Sequence, residues 1–235
     1  MPTLSRRPAL STPPVLRPVR RALAALAGAT LLASAPAMAE PLDLRAALES
    51  TDGEAANRAL TFATEGNRLV AQLDARSGDG GALVKDLQFT TGVIELDIQG
   101  RNAPGQSFVG VAFNAHASGT HETVYFRPFN FGHQDPGRRE HAVQYTSMPE
   151  HGWQPLREQF PLQYESAVTP EPKPDDWFHA RIEVDADVVR VFVNRASTPT
   201  LTVKRLAKAT PGRVGLWVGT GSAGRFANLE VTPGQ

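Results

Sequence analysis

"WFHARIEVDADVVRVFVNR", residues 177–195, alternates apolar and polar side chains on either side of Asp185, Ala186 and Asp187. Ile182 and Val184 face one way before that break, and Val189, Val191 and Val193 do so after it. A period of two marks a strand with one buried and one wet face, and two such runs around a short polar break make an antiparallel hairpin. The same period continues downstream. "TLTVKRL" (200–206) reads as the next strand, and "GRVGLWVGTGSAGRFANLEVTP" (212–233) as two strands joined by a glycine-rich turn.

Upstream, "RALTFATEGNRLVAQLD" (58–74) reads as two strands around Glu65-Gly66-Asn67, and "GGALVKDLQFTTGVIELDIQG" (80–100) as a further strand pair. In its second half Ile94, Leu96 and Ile98 face one side, while Val93, Glu95, Asp97 and Gln99 face the other. "SFVGVAFNAH" (107–116) carries Val109, Val111 and Phe113 on one face and Phe108, Gly110, Ala112 and Asn114 on the other. Small residues there admit a ligand or a neighbouring backbone. "VYFRPFNF" (124–131) and "HAVQYTSM" (141–148) are expected as strands joined by the polar loop "GHQDPGRRE", with Pro128 marking an edge or bulge. Residues 146–176 hold six prolines and read as a long crossover with a helical turn near "PLREQF". Near the start, "LRAALES" (44–50) suits a short helix.

The N-terminal stretch has a basic segment, an apolar run broken by Ser34 and Pro36, and small residues ending at Ala39. That is the pattern of a cleavable signal peptide over residues 1–39, too short for a spanning helix of about 20 residues. Arg6-Arg7 and Arg20-Arg21 raise twin-arginine export, but the flanking pattern favours the ordinary route. A single domain over residues 40–235, periplasmic or secreted, is therefore expected. Residues 1–39 hold five arginines and no acid, so the even balance of 24 basic and 24 acidic residues becomes 19 against 24 after cleavage. A mildly acidic mature chain argues against nucleic acid and an anionic membrane surface as partners, and no stable membrane insertion is expected after cleavage. With no cysteine, disulfides, thiolate metal sites and cysteine nucleophiles are excluded.

The order "WFHARIEV", "VRVFVN", "LTV", "GRVGLWVG", "FANLEV" resembles the C-terminal half of concanavalin A-like jelly rolls of the laminin G-like and 3-keto-disaccharide hydrolase kind. "SFVGVAFNA", "YFRPFNF", "AVQY" and "WQPLRE" are similar to a bacterial exported subgroup of these domains, so the matches cover most of residues 60–233. The resemblance implies an all-β, two-sheet antiparallel jelly-roll sandwich of the lectin and glucanase kind. It also implies a carbohydrate site on a concave outer face. Such folds host lectins, hydrolases and plain interaction modules alike, so the site has to be argued from its residues.

Those residues concentrate between positions 108 and 153. Arg127 offers a fixed fork of donors, and Asn130 and Gln144 offer both donor and acceptor, which suits sugar hydroxyls, a keto oxygen or a carboxylate. Tyr145 stands beside Gln144, and Trp153 offers a ring for stacking on a sugar. Asn114, His116 and His133 complete the expected ligand-binding set. The alternative for Arg127 is a buried ion pair with Glu158 or Glu165 that pins the crossover, and for Trp153 a role in fastening it. "HASGTHE" makes His116, His121 and Glu122 a candidate divalent-ion group, although no zinc-type spacing is present, and no metal or cofactor is assigned. Trp177 and Trp217 read as structural. "IELDIQ" resembles the carboxylate strand of laminarinase-type hydrolases, but Gln99 stands where the general acid would be, so Glu95 and Asp97 read as solvated sheet face.

The expected function is carbohydrate recognition, with hydrolysis or elimination of a 3-keto-glycoside as the chemistry the resemblance implies. In that chemistry a histidine or carboxylate removes a proton made acidic by the ketone, and Arg127 or Asn130 stabilises the oxyanion. The alternative is a non-catalytic laminin G-like interaction module for a protein or cell-wall partner. No catalytic residue is assigned.

Overall fold

The computed structural model describes residues 42–48 and 55–234. The expected signal peptide and its cleavage site lie outside the described residues. Among the described residues, no helix is long and apolar enough to cross a membrane.

Two seven-stranded sheets face each other. The first runs in the order β1 (Ala55–Ala56), β4 (Gly80–Leu83), β13 (Arg213–Val218), β6 (Val109–Ala115), β7 (His121–Phe126), β8 (Val143–Met148) and β9 (Glu165–Ser166). The second runs β12 (Leu201–Lys204), β11 (Val188–Val193), β10 (Phe178–Val184), β5 (Gly92–Gln99), β14 (Gly224–Pro233), β3 (Arg68–Leu73) and β2 (Leu60–Glu65). Neighbouring strands pair antiparallel throughout. This is the jelly-roll sandwich that the resemblance implied, and its strands alternate as read from the sequence.

Residues 177–195 form the β10–β11 hairpin, closed by the Asp185 amide donating to the Val188 carbonyl at 2.8 Å. Alternation decides which face of each strand is buried. Ile94, Leu96 and Ile98 of β5 pack with Ile182 and Val184 of β10 against Val109, Val111 and Phe113 of β6 and Val214, Leu216 and Val218 of β13. Burying such side chains contributes about 1.5–3 kcal/mol each, and with no disulfide this core is the main source of stability. Near one end Phe178 meets Phe126 and Phe131 edge-to-face at 4.9 and 5.3 Å.

Several local expectations change. The strand read over "VYFRPFNF" stops at Phe126, and Pro128–Asn130 is a 3-10 turn. Proline has no amide for the ladder, and its fixed φ suits the first position of such a turn. The strands read as a pair within residues 80–100 lie in different sheets, β4 beside β13 and β5 between β10 and β14. The polar loop contains a short helix, α2 (Pro136–Arg139), capped by the Asp135 carboxylate accepting from the Gly137 amide at 2.9 Å. The crossover contains α3 (Trp153–Gln159) at the expected turn, then β9. The helix near the start is α1 (Leu44–Leu48). At Gly110 the room left by the missing side chain serves a neighbouring strand: a Cβ there would lie 2.1 Å from the Val124 carbonyl oxygen.

Candidate functional site

Register builds one row across the outer face of the first sheet. Trp217 of β13 is opposite Gly110 of β6, Gly110 opposite Tyr125 of β7, Tyr125 opposite Gln144 of β8, and Gln144 opposite Glu165 of β9. Because Gly110 carries no side chain, the Trp217 and Tyr125 rings meet across it with centroids 5.0 Å apart. Phe108 adds edge-on contacts to Tyr125 at 6.2 Å and to Phe129 at 5.6 Å. Gly219 lets Phe108 and Trp217 come together, since a Cβ there would lie 2.9 Å from Phe108 and 3.1 Å from the Trp217 ring. Trp217 and Phe108 remain partly exposed, whereas Tyr125 and Gln144 are buried. The adjacent row is made of smaller side chains: Gly215, Ala112, Thr123 and Thr146.

The polar end of the row is a tight network. The Tyr125 hydroxyl donates to Gln144 Oε1 at 3.0 Å and accepts from Arg127 Nη2 at 2.8 Å. Arg127 Nη2 also donates to Gln144 Oε1, and Nη1 donates to the His141 carbonyl at 2.8 Å. Asn130 Nδ2 donates to the same carbonyl at 3.1 Å, so the 3-10 turn brings Asn130 back to the side of Arg127, where strand alternation would have separated them. Its Oδ1 is buried with no partner. Gln144 Nε2 donates to the Trp153 carbonyl at 3.4 Å, tying the start of α3 to the sheet.

Glu165, 2 % exposed, takes a two-point contact from Arg157 at 2.9 and 2.6 Å, and Arg127 Nη1 lies 3.8 Å away. His141 Nδ1 is 2.8 Å from Glu165 Oε2 without making a directed hydrogen bond. Burial alone would raise the Glu165 carboxyl, but Arg157 and then His141 outweigh it and hold it below the usual carboxylate range. Burial pushes the Tyr125 phenol up to about 12 against the opposing charge of Arg127, so the hydroxyl stays protonated and able to donate. The alternative for Arg127 is thus realised with Glu165 and not Glu158, which accepts from Gln154 at 2.8 Å on α3.

Of the eight expected ligand-binding residues, Arg127, Asn130, Gln144 and Trp153 come together here. Trp153 is half exposed, with the Arg157 guanidinium 5.3 Å from its ring centroid. The other four lie elsewhere. Tyr145 points into the core, because neighbouring residues on a strand face opposite ways, and donates to Glu122 Oε1 at 2.5 Å. Asn114 donates to Glu122 Oε2 at 2.9 Å, and its Oδ1 is 3.0 Å from His116 Nε2. Asn114 has φ of 50° beside the register shift between Arg213 and Gly215, which turns it out of the alternation. His133 Nδ1 accepts from the Asp135 amide at 3.0 Å within the α2 loop. The candidate divalent-ion group does not converge either. Glu122 faces Arg205 inside the sandwich, and the His121 ring is taken by the Gly119 carbonyl at 3.0 Å. Among the described residues no group of three His, Asp or Glu side chains is placed to hold a metal ion.

Sequence reading missed Trp217, Phe108, Arg157 and His141 as members of this face. Trp217 alternates with Val214, Leu216 and Val218, so its outward direction was legible. Its neighbour across the sheet was not.

Chemically, the network is better suited to holding a surface than to transferring protons. Arg127 is engaged by four groups, and Glu165 lies against two guanidinium groups and the His141 ring.

No protein-family model matches the chain, and no curated protein matches it. Among solved structures, a carbohydrate binding module, CBM66, from Bacillus subtilis is similar at 14 % identity over 76 % of this chain and 95 % of that one, with a TM-score of 0.49. A Bacillus subtilis protein of unknown function with a galectin-like fold is similar at 13 % identity over 74 % and 86 %, with a TM-score of 0.48. A Bacillus licheniformis beta-glucanase is similar at 12 % identity over 74 % and 82 %, with a TM-score of 0.46. At these identities the likeness concerns the sandwich and says nothing of a site.

Proposed function

We propose that the chain is a carbohydrate-recognising jelly-roll domain that binds a saccharide across the outer face of its first sheet. The observation that carries this reading is the cross-strand row in which partly exposed Trp217 and Phe108 adjoin a braced set of polar groups. An aromatic surface beside fixed donors and acceptors matches a sugar ring, which has one apolar face and a rim of hydroxyls. Trp153 on α3 stands as a second ring at the edge.

The engagement of Arg127 favours binding over cleavage. A 3-keto-glycoside reaction at this face would need His141 as base and Asn130 Nδ2 or an Arg127 N–H aimed at the developing oxyanion, yet those donors are directed at protein carbonyl and side-chain oxygens. The domain is therefore a non-catalytic module whose partner is a glycan. Export to the periplasm or medium belongs to the same proposal on the strength of residues 1–39 alone. N-terminal sequencing of the protein from a periplasmic fraction is expected to begin at Glu40.

The test is titration with neutral oligosaccharides, following the indole resonances by NMR. Trp217→Ala is expected to weaken binding about fivefold or more, corresponding to roughly 1 kcal/mol for one aromatic contact. Saturable binding that leaves Trp217 and Trp153 unmoved would refute the site, and keto-sugar turnover abolished by His141→Gln would restore the catalytic reading.

A further inference from the structure

The outer face of the second sheet carries a separate cavity of about 310 Å³, lined by Arg68, Asp97, Trp177, His179, Asn194 and Arg195 among others. It lies on the opposite side of the sandwich from the row described above. Its polar groups are organised in advance of any ligand. Asp97 is held by His179 Nδ1 at 3.0 Å, Asn228 Nδ2 at 2.8 Å and Arg68 Nη2 at 3.4 Å, and the second ring nitrogen of His179 is 3.4 Å from Glu95. The Trp177 ring has the Arg68 and Arg225 guanidinium carbons 4.9 and 5.3 Å from its centroid. Asp97, the carboxylate in the lining, and Glu95 beside it thus already have fixed partners.

Arg195 is different. It is exposed, and its side chain makes no hydrogen bond or ion pair among the described residues. It occupies a two-residue turn with Asn194, closed by the Ala196 amide donating to the Val193 carbonyl at 3.1 Å, in which Asn194 and Arg195 have φ of 50° and 59°. A turn with two left-handed residues favours Asn-Gly, so the second position is where glycine would be expected. Placing an arginine there costs backbone energy and puts an unpaired cation at the rim of a cavity that already contains Arg68 and a tryptophan.

The structure assigns this cavity, we infer, to a carboxylate-bearing sugar of the uronate class, with Arg195 and the free N–H groups of Arg68 receiving the carboxylate and the Trp177 edge and Asn194 facing the ring. Guanidinium forks pair with carboxylates at two points. The volume reaches the lower end of small-molecule pockets, about 300 Å³, which is more than an isolated carboxylate fills. The polar lining suits a polyol better than an apolar acid.

The experiment is an NMR titration of the protein with glucuronate, glucose and acetate in parallel, reading the Trp177 indole N–H, assigned through Trp177→Phe. Glucuronate is expected to shift that resonance saturably, and glucose and acetate to do so at least about tenfold more weakly. Arg195→Gly is expected to reduce glucuronate affinity about tenfold or more, the loss of one charge-assisted contact, and Arg195→Lys to reduce it less. Because glycine suits the turn, Arg195→Gly keeps the fold, seen as an otherwise unchanged spectrum. No saturable shift at Trp177, equal binding by Arg195→Gly, or acetate binding as well as glucuronate would each overturn the assignment. Neutral-sugar binding read at Trp217 reports on the other face, so either site can fail without the other.

Discussion

Replacing Arg205 by methionine is expected to cost about 3–5 kcal/mol, because it strips a buried carboxylate of its cation. The side chains of Arg205 and Glu122 have no exposed surface. Arg205 Nε and Nη2 contact the carboxylate at 3.0 and 2.7 Å, and Nη1 donates to the carbonyls of Thr90 and Asp185 at 3.0 and 3.1 Å. The pair joins β7 of the first sheet to the chain just after β12 of the second. Without the arginine, Glu122 keeps only the Tyr145 hydroxyl and the Asn114 amide, and two carbonyls lose their donor. For a domain of this size each kcal/mol moves the melting temperature by about 2–4 °C, so a drop of roughly 6–20 °C is expected. The double variant Glu122→Leu with Arg205→Met removes both charges and should recover most of the loss, since an apolar pair of similar volume is often no worse than a buried ion pair. Urea unfolding of wild type, both single variants and the double gives the coupling directly. A cost below about 1 kcal/mol for Arg205→Met, or single costs that add to the double within about 0.5 kcal/mol, would refute the reasoning.

Arg127→Met is expected to cost about 2–4 kcal/mol in the same assay, because it leaves Gln144 and the His141 carbonyl without a charged donor; a variant as stable as wild type would show that the network does not pin the crossover. Arg195→Gly should raise stability by up to about 1 kcal/mol by relieving a left-handed residue, and a fall of that size would contradict the turn assignment. His179 is raised above its ordinary value, first by Asp97 and then by Glu95 despite burial, so its contribution is complete below about pH 6.5 and is lost as pH rises through the raised folded value. For Asp97, burial is outweighed by His179 and Asn228 and the carboxyl is lowered, so its contribution is present above about pH 3.9 and lost as pH falls through the lowered folded value. Urea midpoints against pH should therefore decline on the alkaline side for wild type, and this decline should flatten in His179→Gln; an unchanged slope would remove His179 as its cause.

The outward direction of single side chains was largely legible. Tyr125, Gln144 and Trp217 follow from counting by two along their strands, and so does the inward direction of Tyr145, which its adjacency to Gln144 requires. Where counting failed, a local backbone irregularity intervened. Pro128 starts a 3-10 turn that swings Asn130 round to Arg127, and the positive φ of Asn114 beside a register shift turns that residue toward Glu122. Arg127 could be seen to need rigid support, and Glu165 was one of two acids that could supply it. The choice between Glu165 and Glu158 depended on β9 joining β8, with Glu158 left on α3.

By itself, then, the sequence determined the strand-rich class, the central hairpin at residues 177–195 and the buried face of most strands, while the two-sheet sandwich was implied by the family resemblance. Strands, hairpin and buried faces rest on a period of two, which is a relation between near neighbours in the chain. Tertiary structure alone decided the row that joins residues 110, 125, 144, 165 and 217, the burial of Glu122 against Arg205, and the clustering of Arg68, Trp177 and Arg195. These depend on strand order and register, which bring together residues up to more than a hundred positions apart and have no periodic trace in the chain.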